Sequence, residues 1–433
     1  VDDYLDAVRE QLRELTERRG RRAPVRRRRL LDALAVAVVA GVAGAVLAVA
    51  FVFGPAPPRA HKRTAAATAV RHTLTHHHDS SSQPRWPAPR GQVVAAGSGV
   101  SQAGAGVPGA GAAPPGVSPP GGPVPPGFSP RSFTAIGELT WWLLGSAPCS
   151  TPPCTSIVRT EDGGRTFVGI PAPRTDGVSQ LRFADPQDGF AYGPQLWVTH
   201  DGGASWRQLS LGGPVADLAT SGGYVYAIVR GADGRGLLMR SPVSTDSWSS
   251  LGAAGDVFPG EGLWAQSATV LALAEHPAGI VSGMLVSDDD GRTFSERPLP
   301  PSIACKLQEP QPPVIWERCS TGMLSGLWRS PDGGQTFASA GGPASGLPPL
   351  PNSAAFAAAS ASVAVVGYQR LYRTGDGGGS WSAVAGLPAL QWTYLGFTDP
   401  THGVAIGSQG QSGPAQLYYT TDGGLSYHPV AIR

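Results

Sequence analysis

The chain has 433 residues, room for about two or three domains of average size. Its formal charge of +2 averages two unlike parts: residues 1–29 carry ten arginines and six acidic residues, whereas residues 131–433 carry 17 Lys and Arg against 23 Asp and Glu, a net of −6. A mildly acidic body behind a short basic stub excludes a broad nucleic-acid-binding face, so no nucleic acid is expected as a partner.

In chain order, the first element is "DDYLDAVREQLRELTERR", which places Leu5, Val8, Leu12 and Leu15 at helical spacing with charges on the other sides. It reads as an amphipathic cytoplasmic helix that lies along the inner membrane surface or docks a cytoplasmic partner. Residues 30–54 follow, and within them Ala33 to Phe53 is a stretch of 21 residues without a charge or a proline. At about 1.5 Å rise per residue a helix of that length reaches about 30 Å, the thickness of a bilayer's hydrocarbon core. Arg26 to Arg29 abut its N-terminal end, so the positive-inside tendency places residues 1–29 in the cytoplasm and the rest outside. A cleaved signal peptide is the rival reading, but a basic leader of 29 residues and an apolar core of 21 are both long for that role. Ala40 and Gly44 form a small-xxx-small pair, a weak association signal in a segment so rich in alanine. The Ala- and Arg-rich composition, with Val1 where a GTG start would be translated literally, is in the style of a high-GC bacterium.

Residues 55–130 are rich in Pro, Gly, Ala and Ser and poor in large apolar side chains, the composition of a flexible linker. Inside it His72, His76, His77, His78 and Asp79 could bind a metal loosely or change charge near pH 6, although a polar tract that merely contains histidines is the simpler reading. From residue 131 to 433 the chain changes to short β-prone runs separated by turn residues.

In this body one octet recurs: "TEDGGRTF" from Thr160, "THDGGASW" from Thr199, "SDDDGRTF" from Ser287, "SPDGGQTF" from Ser330, "TGDGGGSW" from Thr374 and "TTDGGLSY" from Thr420. A worn copy, "SPVSTDSW" from Ser241, keeps the first Ser and the last Trp, and successive starts lie 39 to 46 residues apart. Asp-Gly and Gly-Gly between β-prone runs signal hairpins, because glycine reaches positive φ without a Cβ clash and the aspartate can accept bonds from the turn's own N–H groups. The closing aromatics, Phe167, Trp206, Trp248, Phe294, Phe337, Trp381 and Tyr427, would start the returning strand and anchor the turn to the core. Repeats of this length, each long enough for four short strands, are the pattern of propeller blades.

The octets resemble the Asp-box, or BNR, motif S/T-x-D-x-G-x-S/T-W/F/Y of sialidases, sortilin-type receptors and photosystem II assembly-factor-like proteins. "LRFADPQDGFAYG" from Leu181 and "LGFTDPTHGVAIG" from Leu395 are similar to the F-x-D-x-x-x-G cadence of the last of these families. The resemblance implies an all-β fold, a seven-bladed β-propeller over residues 131–433 with the octets on the hairpin between third and fourth strands. In it Phe183 and Phe397 would be inner-strand core, and Gly189 and Gly403 turns. It also implies that Asp162, Asp201, Asp289, Asp332, Asp376 and Asp422 are structural, since in those families the hairpins lie away from the axis where substrates bind. Nothing in the residues indicates chlorophyll.

The enzymatic alternative is an exo-sialidase-like glycoside hydrolase. It would need an arginine triad for a substrate carboxylate, a Tyr and Glu pair, an Asp acid, and an Arg-Ile-Pro motif ahead of the first octet. Here Ile170-Pro171 follows the first octet and Gly169 stands where the arginine would be. The body's seven glutamates, Glu138, Glu161, Glu261, Glu275, Glu296, Glu309 and Glu317, show no carboxylate pair in sequence, and G-x-S-x-G, H-E-x-x-H and P-loop motifs are absent. His200, His276, His402 and His428 fall in distant repeats and read as turn or surface residues.

Cys149, Cys154, Cys305 and Cys319 form two close pairs that suit disulfides stapling loops in an oxidising compartment. Zinc is the alternative, but C-x4-C with C-x13-C and no histidine nearby is a poor ligand pattern. Two irregular stretches stand out as ligand-binding loops: "LQEPQPPVIWER", with Trp316, Glu317 and Arg318, and "SAPCSTPPC" after Trp141 and Trp142. The other reading of these tryptophans is blade core.

These features lead to a single-pass membrane protein with its N-terminus in the cytoplasm and its propeller extracytoplasmic. It would be a non-catalytic binding or assembly scaffold for a protein or glycan at the cell surface, without cofactor or catalytic metal. A transmembrane sensor signalling through the N-terminal helix is a further alternative.

Overall fold

The computed structural model describes residues 120–276, 280–300, 302–410 and 413–433. The basic segment 1–29, the apolar run 30–54 and the histidine tract lie outside the described residues. Among the described residues no helix is long and apolar enough to cross a membrane.

Seven antiparallel sheets follow one another along the chain, spanning residues 129–170, 180–209, 215–250, 264–297, 304–351, 355–383 and 391–430. Each is a blade of four strands laid side by side in chain order, and the fifth blade gains Leu350–Pro351 beside its third strand. The first strands are Ser129–Ile136, Gln180–Phe183, Val215–Ser221, Trp264–Gln266, Ala304–Gln311, Ala355–Ala358 and Gln391–Phe397. Each touches the first strand of the next blade, and Gln391–Phe397 touches Ser129–Ile136, so the seven form the inner wall of a closed ring.

Both faces of a blade are covered by neighbouring blades, which is why the second strands read as apolar runs without alternation. "TWWLLGS" (Thr140–Ser146) and "YVYAIVR" (Tyr224–Arg230) each bury five residues in succession. The core is accordingly divided into seven clusters, one per seam. That between the first two blades stacks Trp142 on Phe183, with ring centroids 4.1 Å apart. The last seam joins Val404, Ile406 and Leu417 of the seventh blade to Phe133, Trp141, Leu143 and Val158 of the first. Among the described residues no strand is exchanged between these two blades; beyond their apolar contact, the Tyr394 hydroxyl donates to Phe133 O at 2.9 Å and Ala415 N donates to Ser129 Oγ at 2.9 Å.

Two expectations shift at the element level. Residues 120–128, linker by composition, lie against the first blade: Gly122 and Gly169 exchange backbone hydrogen bonds of 2.8 and 2.9 Å, and Val124 and Phe128 pack on the last seam. Gly189 and Gly403 open second strands instead of sitting in turns. Each is the register partner of the phenylalanine across the hairpin, and a Cβ there would come within 2.6 Å of the Phe183 or Phe397 ring. In the same hairpins Asp185 accepts from the N–H groups of Gln187 and Asp188, and Asp399 from those of Thr401 and His402. The shared cadence is therefore a ring-accommodating glycine and a turn-closing aspartate.

Candidate binding site

The six full octets form the turns between third and fourth strands. In "TGDGGGSW" Gly377 and Gly378 take φ of +76° and +96°, and Asp376 Oδ1 accepts from Thr374 Oγ1 at 2.7 Å and Ser380 N at 2.9 Å while Oδ2 accepts from Ser380 Oγ at 2.6 Å. The same bonds recur at Asp162, Asp201, Asp289, Asp332 and Asp422. Hydrogen bonds from Thr166 hold the Asp162 carboxyl down at about 2, and those from Thr293 and Thr336 do the same for Asp289 and Asp332. These carboxylates are fully engaged by their own turns.

Each closing aromatic packs in the seam with the preceding blade: Phe167 against the seventh, Trp206 the first, Trp248 the second, Phe294 the third, Phe337 the fourth, Trp381 the fifth and Tyr427 the sixth. Trp381 Nε1 reaches back to donate to Ala340 O at 2.9 Å, and Trp206 Nε1 to Pro171 O at 2.9 Å. In the opposite direction, the arginine just before an octet reaches forward. Arg240 donates to Asp290 O at 2.5 Å, Arg329 to Ala361 O at 2.8 Å and Arg373 to Gly423 O at 2.7 Å, each in the next blade's turns. The worn octet, which has lost its aspartate and glycines, ties Ser241 Oγ to Thr245 O at 2.7 Å and sends Asp246 to His200 and Arg207 of the second blade. His200 Nδ1 lies 2.5 Å from Asp188 Oδ1, and that contact raises its pKa against the opposing effect of burial.

The residues expected on ligand-binding loops lie elsewhere. Trp141 and Trp142 sit in Thr140–Ser146, and Trp316, Glu317 and Arg318 in Val314–Ser320, the second strands of their blades. The three tryptophans and Glu317 are buried, because a second strand is covered on both faces. "LQEPQPPVIWER" is a hairpin of two paired strands, not an irregular loop. Both disulfides are present, Cys149–Cys154 and Cys305–Cys319. The first staples the exposed connection between second and third strands; the second joins register partners of adjacent strands in the core.

The ring encloses an axial cavity of about 600 Å³ to which all seven blades contribute. Its lining runs along the first strands and into the turns that follow them, including Thr398, Asp399 and Pro400. The octets share that face: Gly163 N donates to Leu139 O, Gly202 N to Gln187 O and Gly423 N to Thr401 O, all carbonyls of turns after first strands. Arg182 of the second blade and Lys306 of the fifth line the cavity on walls three blades apart. Arg182 donates to Leu181 O at 3.3 Å and Phe133 O at 3.5 Å. Burial opposes its charge, but Tyr192, Tyr394 and Asp217 nearby outweigh it and raise its pKa. Lys306 has no hydrogen-bond or ion-pair partner among the described residues.

Asp399 of the cavity lining, and Asp217 next to the lining residue Leu218, are both held by structure. Asp217 accepts from Gly262 N at 2.9 Å, Leu263 N at 3.0 Å and Leu218 N at 2.9 Å, while burial pushes its pKa up. Asp399 is kept at about 2 despite burial by bonds from Thr401 and His402, whose Nδ1 lies 2.7 Å from Asp399 Oδ2. Sequence reasoning singled out neither Arg182 nor Lys306. The signal available was one charged residue inside each of the apolar runs "LRF" and "CKL", and it identifies the cavity only once the ring is known.

No family model matches the chain, and no curated protein matches it. Among solved structures, YCF48 bound to D1 peptide is 18% identical, with 69% of this chain and 95% of that one covered and a TM-score of 0.48. YCF48 from Cyanidioschyzon merolae is 15% identical over 70% and 98% of the two chains, with a TM-score of 0.48. The GH74 enzyme of Niastella koreensis is 13% identical over 70% and 65%, with a TM-score of 0.33. The chain is a seven-bladed β-propeller, similar to YCF48 and to glycoside-hydrolase propellers.

Proposed function

We propose that this chain is a non-catalytic binding or assembly scaffold, tethered to the cell membrane through residues 30–54 with its propeller on the extracytoplasmic side. Its partner is a protein or glycan that seats over the axial cavity on the face carrying the octet turns. The observation that supports this reading is the division of labour at the cavity. Lys306 lines it with no hydrogen-bond or ion-pair partner among the described residues, whereas Asp399 of the lining, and Asp217 next to the lining residue Leu218, are committed to backbone N–H groups and the Tyr394 hydroxyl to Phe133 O. General acid–base chemistry needs a carboxyl free to exchange its proton with substrate, and these carboxyls are engaged in holding turns and strands.

The test is crosslinked capture from native membranes with the full chain, beside a Lys306→Glu variant. A stoichiometric partner retained by the first and reduced at least tenfold with the second, at unchanged thermal stability, is expected. Hydrolysis of sialosides or other glycosides by the purified full chain overturns the reading, as does equal capture by the variant.

A further inference from the structure

The buried seam between fourth and fifth blades holds a side-chain cluster that the scaffold does not use. Cys305 and Cys319 are direct register partners, and Glu317, two residues before Cys319 on the same strand, projects from the same face. Glu317 Oε2 lies 3.6 Å from Cys319 Sγ, and the sulfurs and a carboxylate oxygen lie within 4.8 Å of one another. Cys305, Cys319 and Glu317 are 4%, 0% and 0% exposed.

Among the described residues Glu317 Oε1 has no hydrogen-bond partner, and Trp264 Nε1 and Trp328 Nε1, whose side chains pack on the same apolar cluster, have no acceptor. A fully buried carboxyl without a partner is costly, as are unpaired N–H donors, and none of the described residues around the disulfide offsets either. Two sulfurs and a carboxylate oxygen are the donor set of a thiophilic divalent ion, whose bonds of about 2.3 Å to sulfur and about 2.0 to 2.2 Å to oxygen place ligand atoms roughly 3.5 to 3.8 Å apart. Ser302 Oγ, 3.2 Å from Cys305 Sγ, borders the position a fourth ligand would take. In sequence, the zinc reading failed for want of a histidine; the fold supplies a carboxylate.

We propose that Cys305, Cys319 and Glu317 bind a thiophilic divalent cation of the zinc class when the two cysteines are thiols, so that disulfide and metal are alternative states of one site. The ion displaces two thiol protons and one carboxyl proton, releasing three protons for each ion bound.

The test uses the full chain with Cys149→Ser and Cys154→Ser, so that one cysteine pair remains. A phosphine reduces that pair: the phosphine becomes its oxide with oxygen from water, and the sulfurs take two protons. Anaerobic titration with Co2+ is expected to give one ion per chain, a near-ultraviolet thiolate-to-cobalt band and intense visible bands of a four-coordinate site. Binding should weaken at least tenfold in Glu317→Gln, and the unreduced chain should give none of these bands. A reduced chain that keeps its β-sheet circular dichroism without a thiolate band overturns the proposal. So do equal affinity in Glu317→Gln, identical bands in the unreduced chain, or a reduced chain that loses its sheet and does not regain it with cobalt.

Discussion

Each octet aspartate accepts bonds from the hydroxyl that opens the turn and from both the N–H and the hydroxyl that close it, all of which favour the charged form. The linkage to stability follows in sign. Asp332, at about 2 when folded, has its pKa depressed below the usual ~3.9 of the unfolded chain, so its contribution is present above pH ~4 and is lost as pH falls toward 2. Asp162 and Asp289 act in the same window. Thermal melts of the wild type should therefore fall steeply between pH ~4 and ~2. Asp332→Asn, which keeps one acceptor oxygen and does not titrate, should melt lower at neutral pH and show a shallower acid limb. Parallel limbs for the two proteins would show that the carboxylate gains nothing from its turn. This chemistry was legible because it is local: "SPDGGQTF" contains every donor that Asp332 uses. Lys306 and Arg182 were not legible, since their standing depends on which strand is innermost and which way it faces.

Between blades, the arginine before an octet and the aromatic at its end clamp in opposite directions. Arg373 donates to Gly423 O of the seventh blade, while Trp381 of the same hairpin is buried against the fifth. The aromatics stood out in sequence as anchors, but their target did not. A hairpin turn marks where a ring begins its strand and leaves open which neighbour it packs on. Removing the forward clamp with Arg373→Ala should cost about 1.5 to 3 kcal/mol, the range for a hydrogen bond from a charged donor. Chemical denaturation checks this, with Tyr372→Phe on the same strand as a neutral comparison. An Arg373→Ala midpoint equal to wild type would mean that the bond exchanges with water at no net cost. One of the two sequence candidates for ligand loops is no loop, for a related reason. Proline-rich "LQEPQPPVIWER" reads as irregular, yet Pro312 and Pro313 form the hairpin tip, Pro310 lies in the first strand at a register shift, and the flanking residues pair as strands.

For the molecule as a whole, closure is the decisive step. The seventh blade is complete in itself, so the ring is joined by apolar contact and a few side-chain bonds, with Trp141 packed 4.8 Å from the Tyr419 ring across the seam. Trp141→Ala should lower stability by about 3 to 5 kcal/mol, as for other buried aromatic truncations. Because opening one seam exposes both faces it covered, unfolding should remain a single calorimetric transition. A separate low-temperature transition would show that the last seam is dispensable to the other six. By itself the sequence determined the repeat, the four-strand blade, the turn chemistry and the proximity of each cysteine pair, because all of these are set by spacing and backbone preference over fewer than fifty residues. Only the tertiary structure decided which strand lines the axis, which charges face the cavity, that Trp141, Trp142 and Trp316 are core, and that Glu317 lies beside a disulfide. Those depend on which surfaces are covered when seven near-identical sheets close on one another, and no local signal carries that information.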